Sequence, residues 1–265
     1  MKDDAALHHL RRLEPDLAAL AVQVKGAEVI DCGPFRALVS RTTDWANLAM
    51  PILPSANLDE VTAAVEELCR RFAERGRTPR FLFKEPFFPG LASMLEQAGL
   101  VLVEREPLMV CTPVSFRPFR NPKVSVHFLR ATDPDTDLAA FQTIWSESLD
   151  DGSWVPTPDA LAAFRSELDQ PLHRAALASL GGRPVGTGFV ASHGEGCEIM
   201  RVATIPAARR HGVGATVSSA LVRAGFDGGA TLAWLTATTA GARALYERVG
   251  FGNVGDELTF VAREV

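Results

Sequence analysis

Cysteine is scarce in this chain, with four residues in 265, and tyrosine is scarcer still, with one. Cys32, Cys69, Cys111 and Cys197 form no CxxC pair, and the six histidines show no ligand spacing beside them. That excludes a zinc module and a disulfide framework read from spacing, so reduced thiols, no bound metal and a cytoplasmic location are expected. No apolar run approaches the length of a membrane span. The first twenty residues are charged throughout and hold no apolar core, so a signal peptide is not expected. A basic surplus is missing too. The net charge is −5, and from Lys123 onward 12 basic residues face 16 acidic ones. This argues against a nucleic-acid partner and mildly favours a cationic acceptor.

What is present is the balance of an ordinary globular protein, 47% hydrophobic and 22% charged. The length suits two domains better than one. Pro113, Pro118 and Pro122 fall within ten residues, where they block helix interiors and central strands. An extended linker is therefore expected over 114–122, joining a first domain at 1–113 to a second at 123–265.

The two halves share a register. Shifted by 151 positions, residues 89–110 lie over 240–261, with six identities in 22 positions: Gly90/Gly241, Glu96/Glu247, Gly99/Gly250, Val103/Val254, Glu106/Glu257 and Val110/Val261. The same gapless shift lays 81–83 over 232–234 and the helical pattern of 58–75 over 209–226. Either the halves are duplicates, or two α/β units share a periodicity without common ancestry.

In the second half, strand patterns cover 124–129, 174–180, 184–192, 197–204, 231–236 and 258–262. Helical patterns cover 135–149, 159–168, 212–227 and 239–249. Gly181-Gly182 marks a hairpin. Early antiparallel strands followed by strand, helix, strand and helix predict an α/β fold on a mixed, mostly antiparallel sheet flanked by helices.

The segment 198–215, EIMRVATIPAARRHGVGA, carries the chemistry. A strand runs into Pro206, then Arg209-x-x-Gly212-x-Gly214 opens a helix. The first turn of a helix has N–H groups without partners and a partial positive charge. Gly212 and Gly214 let an anion approach the backbone, and Arg209, Arg210 and His211 add donors. The glycine pair alone is equally compatible with a tight turn, and neither GxGxxG nor a Gly-Lys-Ser/Thr loop is present.

With the strand and proline before it, Arg209–Gly214 resembles the R/Q-x-x-G-x-G/A motif of the GNAT superfamily of acyl-CoA-dependent N-acyltransferases. About thirty residues on, Ala242, Leu245, Tyr246, Gly250 and Phe251 match that family's A-x-x-L-Y-x-x-x-G-F. The resemblance covers 125–265 and is faint, though in register, over the first half. It implies two GNAT-like domains, the second catalytic, with acetyl-CoA as acyl donor. It implies that Arg209, Arg210, His211, Gly212, Val213, Gly214 and Ala215 cradle the pyrophosphate. Val202, Ala203 and Thr204 would pair their backbone with pantetheine and polarise the thioester carbonyl. Thr239 stands where the family often has an asparagine that bonds pantetheine.

Acyl transfer to an amine needs a neutral nucleophile and a protonated leaving thiol. The resemblance places the general acid at Tyr246, which on the residues alone also reads as a packed helix side chain. It places a base at Glu198, which strand alternation puts on one face with Met200 and Val202 and which also reads as a surface partner of Arg201. Cys197 has no His and Asp or Asn beside it to support an acyl-cysteine route. His193 and Glu195 read as turn residues. Residues 145–154, with Glu147, Asp150 and Asp151 near Trp145 and Trp154, are where the family takes its acceptor. In the first half the glycine loop's counterpart is Leu58-Asp-Glu-Val-Thr-Ala63, with no glycine and two acids, and Tyr246 is matched by Leu95. A degenerate domain without a cofactor loop is expected there. The function expected is transfer of an acetyl or acyl group from acetyl-CoA to a small-molecule or peptidyl amine by direct attack in a ternary complex. The alternative is a catalytically silent acyl-CoA-binding or regulatory module.

Overall fold

The structure is a computed structural model that describes residues 6–7, 10–11, 27–40, 46–53, 57–148 and 156–263. In chain order the strands are β1 (Glu28–Cys32), β2 (Phe35–Val39), β3 (Leu48–Pro51), β4 (Arg80–Lys84), β5 (Leu100–Cys111), β6 (Val124–Leu129), β7 (His173–Leu180), β8 (Arg183–His193), β9 (Gly196–Thr204), β10 (Leu232–Thr236) and β11 (Gly252–Ala262). Six helices are numbered α1 (Leu58–Ala73), α2 (Leu91–Gln97), α3 (Asp135–Ser146), α4 (Pro158–Leu168), α5 (Val213–Asp227) and α6 (Ala240–Val249). Asp150, Asp151 and Trp154 of the expected acceptor region lie outside the described residues. Among the described residues no helix is long and apolar enough to cross a membrane.

The chain divides into two compact units, one of residues 3–108 with 254–265 and one of residues 109–253. This differs from the proline-based division at 113. The stretch 114–122 belongs wholly to the second unit, and the C-terminal strand, expected in the second domain, belongs to the first. The physical reason is pairing and burial. β11 runs antiparallel to β4, with Leu258 opposite Phe83 and Phe260 opposite Phe81. The rings of Phe83 and Phe260 stack at 6.1 Å, and Leu258 and Phe260 are fully buried.

Within the first unit, β1, β2 and β3 are antiparallel neighbours and β3 pairs parallel with β4. Helix α1 buries Val61, Ala64, Val65, Leu68 and Phe72. Its start is fixed by a capping box, in which Asn57 Oδ1 accepts from the Glu60 N–H (3.0 Å) and Glu60 Oε2 accepts from the Asn57 N–H (3.1 Å). Phe88, in the apolar stretch after β4, packs edge-on against Phe83 at 6.3 Å.

Within the second unit, β6, β7, β8 and β9 are antiparallel and β9 pairs parallel with β10. The β7–β8 hairpin turns at Gly181 and Gly182, both left-handed (φ +59° and +79°), the geometry of a two-residue primed turn. One sheet face buries residues of α5 and α6 and the other residues of α3 and α4, so the sheet is covered on both sides. Helix α4 is started by Thr157, whose hydroxyl accepts from the Ala160 N–H, and by Pro158 in its first turn.

The element order β-β-β-α-β-α-β of the first unit recurs from β7 to β11, with the same parallel step before β4 and β10. A 151-residue shift carries β4, α2 and β5 onto β10, α6 and β11 to within two residues. Arg105 and Asp256, which that shift superposes, form an ion pair at 2.7 Å in the first unit. β11 begins at Gly252, six residues before the strand read from hydrophobicity, because Gly252–Glu257 pairs without an apolar face.

Gly250 and Gly99, matched by the shift, both end a helix in the left-handed region (φ +106° and +88°). Their surroundings differ. A Cβ on Gly250 would lie 2.1 Å from the Ser115 carbonyl oxygen, whereas one on Gly99 would meet nothing within 4 Å. Gly99→Ala should therefore cost about 1 kcal/mol of backbone strain, and Gly250→Ala roughly 3 kcal/mol or more. Urea denaturation of the two variants checks this, and equal midpoints would show that the Ser115 contact is dispensable.

Candidate active site

Strand β9 has a bulge in its middle. Thr187 of β8 faces Ala203, and Phe189 faces Met200, so Gly188 alone opposes Arg201 and Val202. Arg201 takes φ +53° there. A bulge of this kind shifts the side-chain alternation by one. Met200 and Ala203 pack on the face of α3 and α4, whereas Cys197, Ile199 and Val202 pack on the face of α5. The expectation that Glu198, Met200 and Val202 share a face is thus corrected, because the bulge at Arg201 turns Val202 to the opposite side. Arg201 is anchored by both carboxylate oxygens of Glu167 (2.8 Å each), with its guanidinium over the Phe189 ring at 4.7 Å.

Beyond the bulge β9 also loses a neighbour. Its pairing with β10 runs over Gly196–Leu232, Cys197–Ala233 and Glu198–Trp234 and then stops. On the β8 side, Thr187 and Gly186 still pair with Ala203 and Thr204. The opposite edge of Val202–Thr204 therefore faces a cavity of about 670 Å³, with Thr238, Thr239 and α6 across from it.

The cavity's second wall is the start of α5. After a short turn at Pro206–Ala208 the chain passes through two left-handed residues, Arg210 (φ +66°) and Gly212 (φ +73°). Gly212 is the N-cap and has no side chain to satisfy the first-turn amides. The N–H groups of Val213, Gly214 and Ala215 thus have no partner within the helix, and these residues line the cavity. Arg209 Nε donates to the Thr204 carbonyl (3.2 Å), tying the loop to the end of β9. Arg209, Arg210 and Arg248 line the cavity, and among the described residues no acidic side chain does. In a chain of net charge −5 that local surplus suits a polyanion.

The third wall comes from the stretch expected to be a linker. The Arg117 N–H donates to the Val249 carbonyl (2.8 Å) at the end of α6. The Phe119 N–H donates to Ser219 Oγ (2.9 Å) and the Asn121 N–H to Thr216 Oγ1 (3.1 Å), both on α5. Asn121 Nδ2 donates to the His211 carbonyl (2.8 Å).

Tyr246, on α6, lines the cavity and is 7% exposed. Its ring meets Phe251 edge-on at 5.8 Å, and burial pushes its phenol up to about 12. Thr239 also lines the cavity. Its hydroxyl oxygen caps α6 by accepting from the Ala242 N–H (3.1 Å), which leaves the hydroxyl hydrogen to donate. His211 is not a lining residue. Its ring Nδ1 donates to the Arg209 carbonyl (2.9 Å), so it braces the loop from within. Glu198 lies on β9 opposite Ala191 and Trp234, before the bulge and outside the lining. Cys197 faces Gly225 of α5 in the core, where a Cβ on that glycine would come within 2.4 Å of its sulfur. Burial pushes the Cys197 thiol up to about 12, which leaves no thiolate for an acyl-cysteine route at neutral pH. Sequence reasoning missed Phe119, Thr238 and Arg248, which line the cavity, whereas Ser148, also in the lining, falls within the 145–154 stretch expected to meet the acceptor. Arg248 was legible as a cation two residues after Tyr246, whereas Phe119 was hidden in the proline-rich stretch.

The first unit lacks this geometry. Under the 151-residue shift Leu58–Val61 take the place of Arg209–Gly212, and they are already helix. Asp59 and Glu60 occupy that first turn and the capping box satisfies its amide. A cavity on that unit, about 660 Å³, is lined among the described residues by Glu104, Glu106 and Glu257 with Arg80. Its charge is the wrong sign for a pyrophosphate.

Comparison with known proteins agrees with the geometry. The model of the acetyltransferase (GNAT) family matches residues 138–251. A GCN5-related N-acetyltransferase from Kribbella flavida is similar at 24% identity over 95% of this chain and 97% of its own, with a TM-score of 0.74. A GCN5-related N-acetyltransferase from Sphaerobacter thermophilus is similar at 14% identity over 95% and 88%, TM-score 0.64. A tandem GNAT protein from the clavulanic acid biosynthesis pathway is similar at 13% identity over 86% and 77%, TM-score 0.59. No curated relative matches the chain. The open strand edge, the uncapped, glycine-led helix start and Tyr246 all fall within residues 138–251, the segment matched by the acetyltransferase (GNAT) family, and that segment is a GNAT acetyltransferase domain.

Proposed function

We propose that this protein transfers an acetyl group from acetyl-CoA to an amine, at the cavity between β9, α5 and α6. The observation that carries the reading is the open Val202–Thr204 edge beside the uncapped, arginine-lined start of α5. The first suits an extended pantetheine amide chain and the second a diphosphate. Acetyl-CoA would supply the activated acyl thioester. A backbone N–H on the open edge would donate to the thioester oxygen. The tandem arrangement would leave one acyl-CoA site per chain, in the second unit, with the first unit as scaffold.

The amine attacks the acyl carbon directly, so a C–N bond forms and the C–S bond breaks. The amine's proton passes to Glu198 through water, since Glu198 stands outside the cavity lining. Tyr246 faces the departing sulfur. With the phenol at about 12 and a thiol near 8.5 in solution, complete proton transfer is uphill by roughly 5 kcal/mol. Tyr246 therefore acts by hydrogen-bonding the sulfur as charge gathers there, staying a phenol throughout. The acceptor is a small-molecule or peptidyl amine, and the net negative charge of the second half favours a cationic one.

Tyr246→Phe keeps the ring against Phe251 and removes only the donor. It should lower kcat by more than about tenfold with KM for acetyl-CoA unchanged, read as thiol release with a panel of amines. Wild-type rates in the variant would remove the role of Tyr246. Binding without turnover by the wild type over the whole panel would favour a silent acyl-CoA-binding module.

The phenol's raised value also fixes a pH dependence. Burial favours the neutral form, so Tyr246 stays protonated below about pH 11. The rate should rise with pH as the amine loses its proton and should not fall before about pH 11. Glu198→Gln should lower the rising limb without moving that alkaline edge. A decline centred near pH 9 in the wild type would contradict the assignment.

A further inference from the structure

Phe119 is the part of the cavity that acyl transfer leaves unused. The stretch 114–122 holds two phenylalanines with different fates. Phe116 is packed edge-on against Phe226 at 5.7 Å, whereas Phe119 is 36% exposed and lines the cavity. A single exposed apolar side chain is ordinary on a protein surface, so what singles out Phe119 is its place in the cavity wall on a pinned backbone. Phe119 is pinned: its own N–H is bonded to Ser219, and two residues on either side Arg117 and Asn121 are bonded to Val249, Thr216 and His211. Its ring lies against the first residue of the helix start. A Cβ on Gly212 would sit 3.1 Å from Phe119 Cε1 and 3.3 Å from Cζ.

This inference rests on the acyl-CoA reading of the same cavity. A diphosphate on the amides of Val213–Ala215 and a thioester at Tyr246 occupy the inner part of the site. The remaining portion of an acyl-CoA, its 3′-phosphoadenosine, is joined to the diphosphate and leaves from that end. The flat surface waiting there is Phe119, with the Arg210 guanidinium lining the same cavity. We propose that Phe119 is the stacking face for the purine ring of the donor. It thereby makes the enzyme select a nucleotide-bearing thioester over a bare phosphopantetheine one, such as a carrier protein displays. A rigid ring loses little freedom on stacking, and a purine accepts such a face without hydrogen-bond readout.

The test compares the affinities of CoA and 4′-phosphopantetheine for the full-length wild type, Phe119→Ala, Phe119→Leu and Phe119→Trp, by equilibrium binding. The wild type should bind CoA at least tenfold more tightly than 4′-phosphopantetheine. The Ala and Leu variants should lose roughly tenfold or more in CoA affinity, the scale of one stacked base. They should leave 4′-phosphopantetheine unchanged, and Trp should retain CoA binding. The Leu variant keeps apolar volume over Gly212, so a shared loss in Ala and Leu separates stacking from loop collapse. Unchanged CoA affinity in Ala and Leu, or an equal loss for both ligands, overturns the stacking role while leaving the acyl-CoA reading standing. Binding of neither ligand by the wild type overturns the acyl-CoA reading itself, and this inference with it.

Discussion

The site depends on how closely α5 sits on the sheet. Gly186 and Gly188 of β8 leave no side chains under the helix. A Cβ on Gly188 would lie 2.6 Å from both Val217 and Leu221, and one on Gly186 2.6 Å from Val213. On the helix, Gly225 makes the matching approach to Cys197. Glycine against helix fixes where α5 begins, to within the tolerance of van der Waals contact. That places its uncapped first turn beside the strand edge which the bulge at Arg201 and the departure of β10 leave open. The uncapped helix start and the open edge are thus two results of one packing arrangement.

The two units show how little separates a site from its absence. Both place a helix after a parallel-paired strand, and both end the following helix on a left-handed glycine. In the first unit a capping box and two carboxylates close the helix start. In the second a left-handed glycine, a left-handed arginine and three lining guanidiniums keep it open and positive. A left-handed non-glycine residue costs on the order of 1 kcal/mol, and such residues collect at functional sites. Arg210 bears that cost where its side chain faces the cavity.

Much of this was legible in the sequence, for reasons that can be named. Strands with two-residue periodicity and helices with caps or glycine stops are written locally, so β6, α4 and α6 lie where the pattern puts them. Val202–Thr204, Arg209, Arg210, Gly212–Ala215 and Tyr246, picked out by motif, all line the cavity, whereas His211 in the same loop does not. Three things were hidden. The bulge at Arg201 breaks alternation with no glycine or proline between Cys197 and Thr204 of β9 to announce it, and so reversed the facing of Val202. The ribbon from Gly252 to Glu257 has no apolar face, so β11 looked short, and its membership of the first unit is a matter of non-local pairing. The stretch around Pro113, Pro118 and Pro122 was expected to be an extended linker, but it turns at 113–115 and again at 122–123, and the irregular chain between them bonds to Ser219, Thr216 and Val249 and builds a wall.

The central claim is that one helix start is open to acetyl-CoA and its counterpart is closed. Calorimetric titration of the full-length protein with acetyl-CoA tests it most directly. The account predicts a stoichiometry near one per chain, abolished when Gly212 and Gly214 are both replaced by aspartate and unaffected when Asp59 and Glu60 are replaced by alanine. A stoichiometry near two, or binding that survives the aspartates, would contradict it.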